Sequence, residues 1–263
     1  MEPLVSKIAA LLVAASFLGA ATAQDFSMPG SSPLDYSSAM SSLTSSQINN
    51  ISLGNVAKGA GGKGGRRVTL SPLTAAIAPA STFRGVRMVA PGPAALGYRP
   101  NAAVRATAKR AFIDRFSKMN PASRPQLEKA VASVDFFSEF SRMLADDGYR
   151  RDNVADAMAS CLIVSWIASK GKIVEPSAAG QRVIRSRIAT ALMADPRMKN
   201  EAFRQRLGDE LQMITVLVGS GLGAAERSGK GAAYGAAMGG IFTGLTGMEP
   251  SRFALTAQGF VRA

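Results

Sequence analysis

A chain of 263 residues with no histidine and one cysteine has few routes to catalysis. The commonest general base and metal ligand is missing, Ser-His and Cys-His pairings are excluded, and a zinc site is close to excluded with them. Lysine and arginine number 31 against 18 acidic residues, and the formal net charge of +13 favours anionic surfaces and polymers as partners.

Residues 1–23 have the make-up of an export signal. Lys7 supplies the positive n-region, residues 8–19 are apolar or small, and Ala21-Thr22-Ala23 is an A-x-A cleavage site before Gln24. The expected location is therefore the periplasm or the exterior. No second run of about 20 apolar residues follows, and no cysteine near the site invites lipid attachment, so contact with a membrane is expected to be peripheral at most.

Residues 24–97 are rich in Ser, Gly, Pro and Ala, with Ser31-Ser32-Pro33 and a glycine cluster at 59–65. Ordering such a stretch costs about 1–2 kcal/mol per residue in backbone entropy, which its scattered apolar side chains are not expected to offset. It reads as a disordered basic arm. Its bases gather in the second half, and Arg66, Arg67, Arg84 and Arg87 are the candidate anion-binding residues.

From residue 98 to 263 the apolar period is that of helices, and the expected fold is all-α, an antiparallel bundle of five or six helices. Asn101 caps a first helix through Val104, Ala108, Phe112, Phe116 and Met119, ended by Pro121. Pro125 opens a second that carries Leu127, Val131, Val134, Phe137, Phe140 and Leu144 up to Gly148. Asp152 is the expected cap of a third, apolar almost all round from Cys161 to Ala168 and hence central. Cys161 is then a small buried side chain. Pro176-Ser177 opens a fourth helix with Ile184, Ile188 and Leu192 inward and Arg182, Arg185 and Arg187 elsewhere.

Asp195-Pro196 starts a fifth helix, with Phe203, Leu207, Leu211, Ile214 and Val218 as its stripe, broken by Gly219, Gly221 and Gly223. A sixth, over 231–248, carries Tyr234, Met238, Ile241, Phe242 and Leu245, bordered by Gly231, Gly235 and Gly239. It suits close packing on a neighbour. The tail from Phe253 to Phe260 tucks back through its apolar residues, and no alternating pattern of useful length predicts strands. Phe112, Phe140, Trp166 and Leu211 are the expected core.

The segment 148–166, with Asn153-Val154-Ala155-Asp156-Ala157 leading into the helix of Trp166, resembles a family of uncharacterised exported bacterial proteins. Gln181-x-x-x-Arg185 and Leu255-Thr256-Ala257-Gln258-Gly259-Phe260 are similar to it too. The resemblance implies a helical secreted domain and carries no catalytic residue.

Chemical motifs are weak. Ser169-Lys170-Gly171-Lys172 matches S-x-x-K, but at a helix end, where lysines serve as a cationic cap. Residues 224–231 lack the leading glycine and final Ser/Thr of a phosphate loop. Asp146, Asp147, Asp152 and Asp156 bracket one turn, and two carboxylates can divide acid and base roles in glycan cleavage, although aspartates at helix starts ordinarily cap. No catalytic, cofactor or metal residue is assigned. The leading reading is non-enzymatic binding of an anionic envelope polymer, a lipid surface or a protein partner, with nucleic acid not expected. The second is membrane association through the glycine-rich helix 231–248, and the third a carboxylate-dependent envelope glycan hydrolase.

The cleavage site makes the first prediction. Mass spectrometry of the protein from its native host should find the N-terminus at Gln24, and an intact Met1 chain in the cytoplasm would remove the export reading.

Overall fold

The computed structural model of the chain describes residues 72–119, 121, 124–144 and 147–263. The expected signal sequence, residues 24–71 of the expected arm, Arg66, Arg67 and Asp146 lie outside them. The described chain is mostly helical, as an all-α reading requires. Its helices are α1 (Pro72–Ile77), α2 (Ala102–Met119), α3 (Arg124–Ser133), α4 (Phe136–Leu144), α5 (Val154–Ser169), α6 (Ala178–Met193), α7 (Glu201–Arg227) and α8 (Gly231–Thr246). Two strands, β1 (Phe253–Thr256) and β2 (Gly259–Arg262), close the chain as an antiparallel hairpin.

Helix α5 is the centre. Every residue from Val154 to Ala168 is buried, because its sequence is apolar or small around the whole circumference. It is packed between α6, α7 and α8; α2 and α4 lie on α7, while α1 and the hairpin lie on α6. Phe112, Phe140, Trp166 and Leu211 are all buried, as expected of the core. The side chains of Phe116 and Met119 lie outside the described residues.

Several boundaries differ from the sequence expectation. Residues 72–97 are part of the folded domain rather than of an arm. Leu73, Ala75, Ala76 and Ile77 of α1 and Leu96 are buried, so this stretch has an apolar anchor at each end of a Pro- and Gly-rich strap. The second predicted helix is two, α3 and α4, because Asp135 accepts hydrogen bonds from the Phe137 and Ser138 amides (3.2 Å each) and starts a new helix. Asn153, not Asp152, caps α5 through the Ala155 and Asp156 amides.

At the fifth helix, Asp195-Pro196 starts only a 3-10 turn (Pro196–Lys199), and Asn200 caps α7 through the Phe203 amide. Gly219, Gly221 and Gly223 do not break α7. A Cβ on Gly219 would stand 2.8 Å from the Met143 methyl and one on Gly221 2.4 Å from the Tyr234 hydroxyl, so these two glycines are notches that neighbouring side chains fill.

The sixth predicted helix forms as α8 and makes the close approach its glycines suggest. Gly171 turns the chain after α5 at φ +65°, and a Cβ on Gly235 would lie 2.6 Å from the Gly171 nitrogen. The tail does tuck back, but as a hairpin. Phe253 and Phe260 share one face and stack edge-on at 6.3 Å, and Phe260 meets Trp166 at 5.8 Å. The Trp166 indole N–H donates to the Phe253 carbonyl at 3.2 Å, which satisfies its one polar atom inside the core. Strands of only four residues each leave no long alternating pattern to read.

A chain beginning at residue 98 lacks the buried Leu73, Ile77 and Leu96 and is therefore expected to be less stable than a chain beginning at residue 24 by on the order of 5 kcal/mol, at about 1.5–3 kcal/mol for each buried aliphatic side chain. Urea midpoints of the two chains measure it. Equal midpoints would show that the strap contributes nothing to the fold.

Candidate functional site

The N-terminal end of α5 is where the buried polar groups concentrate. A helix start leaves amide hydrogens without intrahelical partners, and here that end is covered by protein. Asn153 meets the need on one side: its oxygen accepts from the Ala155 and Asp156 amides, and its Nδ2 donates to the Pro93 carbonyl of the strap at 2.8 Å. Asp156 sits one turn on, fully buried, with its negative charge near the positive end of the helix dipole.

Arg185 of α6 completes the first cluster. Its Nε donates to Asp156 Oδ1 at 2.9 Å, its Nη2 lies 2.8 Å from the same oxygen, and Nη2 also donates to the Gly148 carbonyl at 2.9 Å. The guanidinium lies 4.3 Å from the centre of the Tyr149 ring, and the Tyr149 hydroxyl donates to Gln181 Oε1 at 2.9 Å. The Arg150 amide donates to Asp156 Oδ2 at 2.9 Å. Burial raises the Asp156 carboxyl above its ordinary value, and Arg185 together with that amide offsets only part of the rise.

Gly92 lies over this pair at φ +62°, and a Cβ there would stand 3.0 Å from Asp156 Oδ2 and 3.3 Å from Arg185 Nη2. Only glycine lets the strap close this tightly in that conformation.

The second cluster lies on the α7 side of the same turn. The Tyr98 hydroxyl donates to the Arg151 carbonyl at 2.9 Å and accepts from Gln212 Nε2 at 2.8 Å. Gln205 Nε2 donates to Asp209 Oδ2 at 3.1 Å and to the Asn101 carbonyl at 2.9 Å, and Arg105 Nε lies 3.6 Å from Asp209 Oδ2. Burial pushes the Asp209 carboxyl up, against the opposing pull of Gln205 and Arg105. Burial also pushes the Tyr98 and Tyr149 hydroxyls up, so both stay neutral donors.

A second buried cation, Arg187, has no carboxylate partner among the described residues. It donates to the Ala76 carbonyl at the end of α1 (3.3 Å) and to the Gln258 carbonyl in the hairpin turn (3.2 Å), and its guanidinium faces the Phe83 ring at 5.3 Å. Of the three arginines expected away from the inward face of α6, only Arg182 is exposed. Arg185 and Arg187 are buried because a carboxylate, backbone carbonyls and aromatic faces receive them.

The sequence-derived candidates fall apart in space. Asp152 is partly exposed and pairs with Arg150 at 3.3 Å, whereas Asp156 is enclosed with Arg185, so these two carboxylates do not face a common cleft. Ser169 Oγ donates to the Trp166 carbonyl at 2.6 Å, and Lys170 Nζ lies 4.7 Å from the Trp166 ring, an arrangement that finishes α5. The Cys161 thiol is pushed up to about 12 by burial and stays protonated. Arg84 and Arg87 are exposed on the strap. Among the described residues no three His, Cys, Asp or Glu side chains could hold a metal ion together, and no helix is long and apolar enough to cross a membrane.

The chain belongs to the family of unknown function DUF6683. The match spans residues 6–262. No curated protein and no solved structure shows a match to it. Asn153, Asp156, Gln181 and Arg185, the residues whose pattern resembles a family of uncharacterised proteins, are together the first buried cluster. The polar set on α7 escaped the sequence reading, although Gln205, Asp209 and Gln212 at i, i+4 and i+7 form a polar stripe beside the apolar one.

Two predictions follow from these clusters. Arg185→Ala leaves the Asp156 charge buried alone and should cost about 3–5 kcal/mol in urea unfolding, with part of the loss regained when Asp156→Asn is added. Asp209 gives a pH signature. The folded state holds its proton more tightly than the unfolded chain, so above about pH 4 the native form binds more protons and stability falls as pH rises through the folded value. Asp209→Asn lacks that slope, so wild-type stability minus variant stability should decline over this window; a rising difference would mean the carboxyl is stabilised as the anion.

Proposed function

We propose that this protein is a non-catalytic binder of anionic envelope components, either acidic polymer or anionic lipid surface, through exposed arginines that its own acids leave uncompensated. One observation supports the reading. The carboxylates are largely engaged within the fold: Asp114 and Glu128 with Arg124, Glu139 with Arg142, Asp195 with Arg197, Asp156 with Arg185. Others bond to backbone, as Glu201 does with the Arg99 amide at 2.7 Å and Asp135 with the start of α4. Exposed Arg84, Arg87, Arg110, Arg182 and Arg262 have no ion-pair partner among the described residues.

Guanidinium groups that are weakly hydrated and present five donors in a fork suit phosphate and carboxylate groups. The charge excess is then a property of the outer surface, while of the buried arginines Arg185 is paired with Asp156 and Arg187 is held by backbone carbonyls. Arg84 and Arg87 stand on the strap that the structure places against α6, so a ligand bound there would meet a fixed surface. Exported location remains part of this proposal, resting on the make-up of residues 1–23.

The test is flotation of the mature protein with phosphatidylglycerol vesicles and, separately, binding to an acidic polysaccharide. Attachment should weaken roughly tenfold or more between about 50 and about 200 mM salt. Arg84→Glu with Arg87→Glu should reduce it at low salt while leaving the urea midpoint within about 0.5 kcal/mol. Retention through high salt and alkaline carbonate would favour insertion instead, and no binding at low salt would overturn the proposal.

A further inference from the structure

Among the described residues two large apolar side chains are exposed, Met88 at 38% and Met193 at 47%. Both belong to the seam where the strap crosses α6. The Met88 sulfur lies 4.0 Å from the Thr190 hydroxyl oxygen, and Met193 follows Thr190 by three residues, which sets it on the same side of the helix. Deeper in the fold, Met143, Met158, Met198, Met213 and Met238 are buried at 4% or less, and Met248 is half-buried against the core. Cys161, the one cysteine, is buried as well.

Thr190 has one hydroxyl proton to share among its neighbours. The Ser186 carbonyl at 2.7 Å takes it, the Val89 amide donates to the hydroxyl oxygen at 2.9 Å, and the Met88 sulfur is left at a distance where such a bond is weak. The strap is therefore fixed here by the Val89 amide rather than by the sulfur. The Met88 thioether is open to solvent and held by no strong donor among the described residues, which is the condition for attack by an oxidant.

We propose that Met88 and Met193 form a reversible oxidation site on the strap seam, with peroxide as the oxidant and methionine sulfoxide reductases as the enzymes that restore it. A sulfur lone pair attacks one oxygen of hydrogen peroxide, and the O–O bond breaks as the S–O bond forms. The sulfur is oxidised by two electrons, the proton on the transferred oxygen passes to the departing hydroxide, and water leaves. The product is polar and chiral. At Met88 and Met193 the new oxygen meets water, and the Val89 bond to Thr190 takes no part in the reaction. At Met158 or Met213, both 0% exposed, the same oxygen would enter the core without a partner. The fold thus separates methionines that tolerate this modification from those that do not, and gathers the tolerant ones where the strap meets α6.

The test exposes the folded protein to hydrogen peroxide and follows each methionine by peptide mass spectrometry. Met88 and Met193 should take up oxygen on the order of tenfold or more faster than Met158 and Met213, and the difference should vanish in urea. Reductases for both sulfoxide epimers should then restore the two peptides. Met88→Gln with Met193→Gln imitates the polar product and should leave the urea midpoint and the hydrogen-exchange protection of the Val89 amide unchanged, whereas Met213→Gln should lower the midpoint. Equal oxidation rates at these four positions in the folded protein would overturn the proposal. So would sulfoxides that the reductases leave in place, or a double variant that unfolds at lower urea or loses protection at Val89.

Discussion

Helix α5 is apolar on all sides, and that single constraint organises the molecule. A helix with no solvent face has to be wrapped completely, and its unpaired terminal groups have to be met by protein. The flanks are closed by α6, α7 and α8. At its N-terminal end Asn153 bonds forward to the helix and back to the strap, and Asp156 brings a charge that only a buried partner can balance. Arg185 is that partner, and its remaining donors fix the Gly148 turn that leads into the helix. At the other end Lys170 and Gly171 finish the helix beneath Pro250 and α8.

The strap of residues 72–97 is the counterpart of this arrangement. It contributes few apolar side chains, but those it has are placed at its two ends, and the polar stretch between them lies over polar groups. Gly92 rests on the Asp156 and Arg185 pair, the Val89 amide donates to Thr190 at 2.9 Å, and Arg187 holds the end of α1 to the hairpin turn. Ordering such a stretch costs entropy that its hydrophobic content alone does not offset. Hydrogen bonds to the rest of the fold, of which the one from buried Arg187 to the Ala76 carbonyl is charged and worth about 1.5–3 kcal/mol, supply part of what composition does not reveal.

The same chemistry separates the interior from the surface. Inside, acids and arginines are matched or bonded to backbone, and the tyrosine hydroxyls and the cysteine are held neutral by burial. Outside, arginines exceed the acids available to pair with them. A catalytic reading needs titratable groups that converge on a space open to substrate, and the aspartates around residue 148 are instead divided between a partly exposed pair with Arg150 and an enclosed pair with Arg185. The polar clusters therefore act as structural keystones, and the proposed reading assigns recognition to the exposed cations.

Much of the helical plan was legible in the sequence, because apolar spacing, caps and prolines are local signals. The stripes of α2, α6, α7 and α8, the central place of α5 and the close packing of the glycine-bordered helix all follow from residues within a few turns of one another. The break at Asp135 and the transfer of the α5 cap to Asn153 are local contests between neighbouring capping residues, decided by which side chain reaches the free amides. Tertiary structure alone decided the rest. Arginines at 185 and 187 are surface residues until a distant aspartate or a pair of carbonyls receives them, and the strap is an arm until it finds polar groups to cover. The four-residue strands of the hairpin pack on Trp166, a residue far from them in sequence. Periodicity records which side chains avoid water, whereas the burial of a charge depends on a partner brought near only by the folded chain.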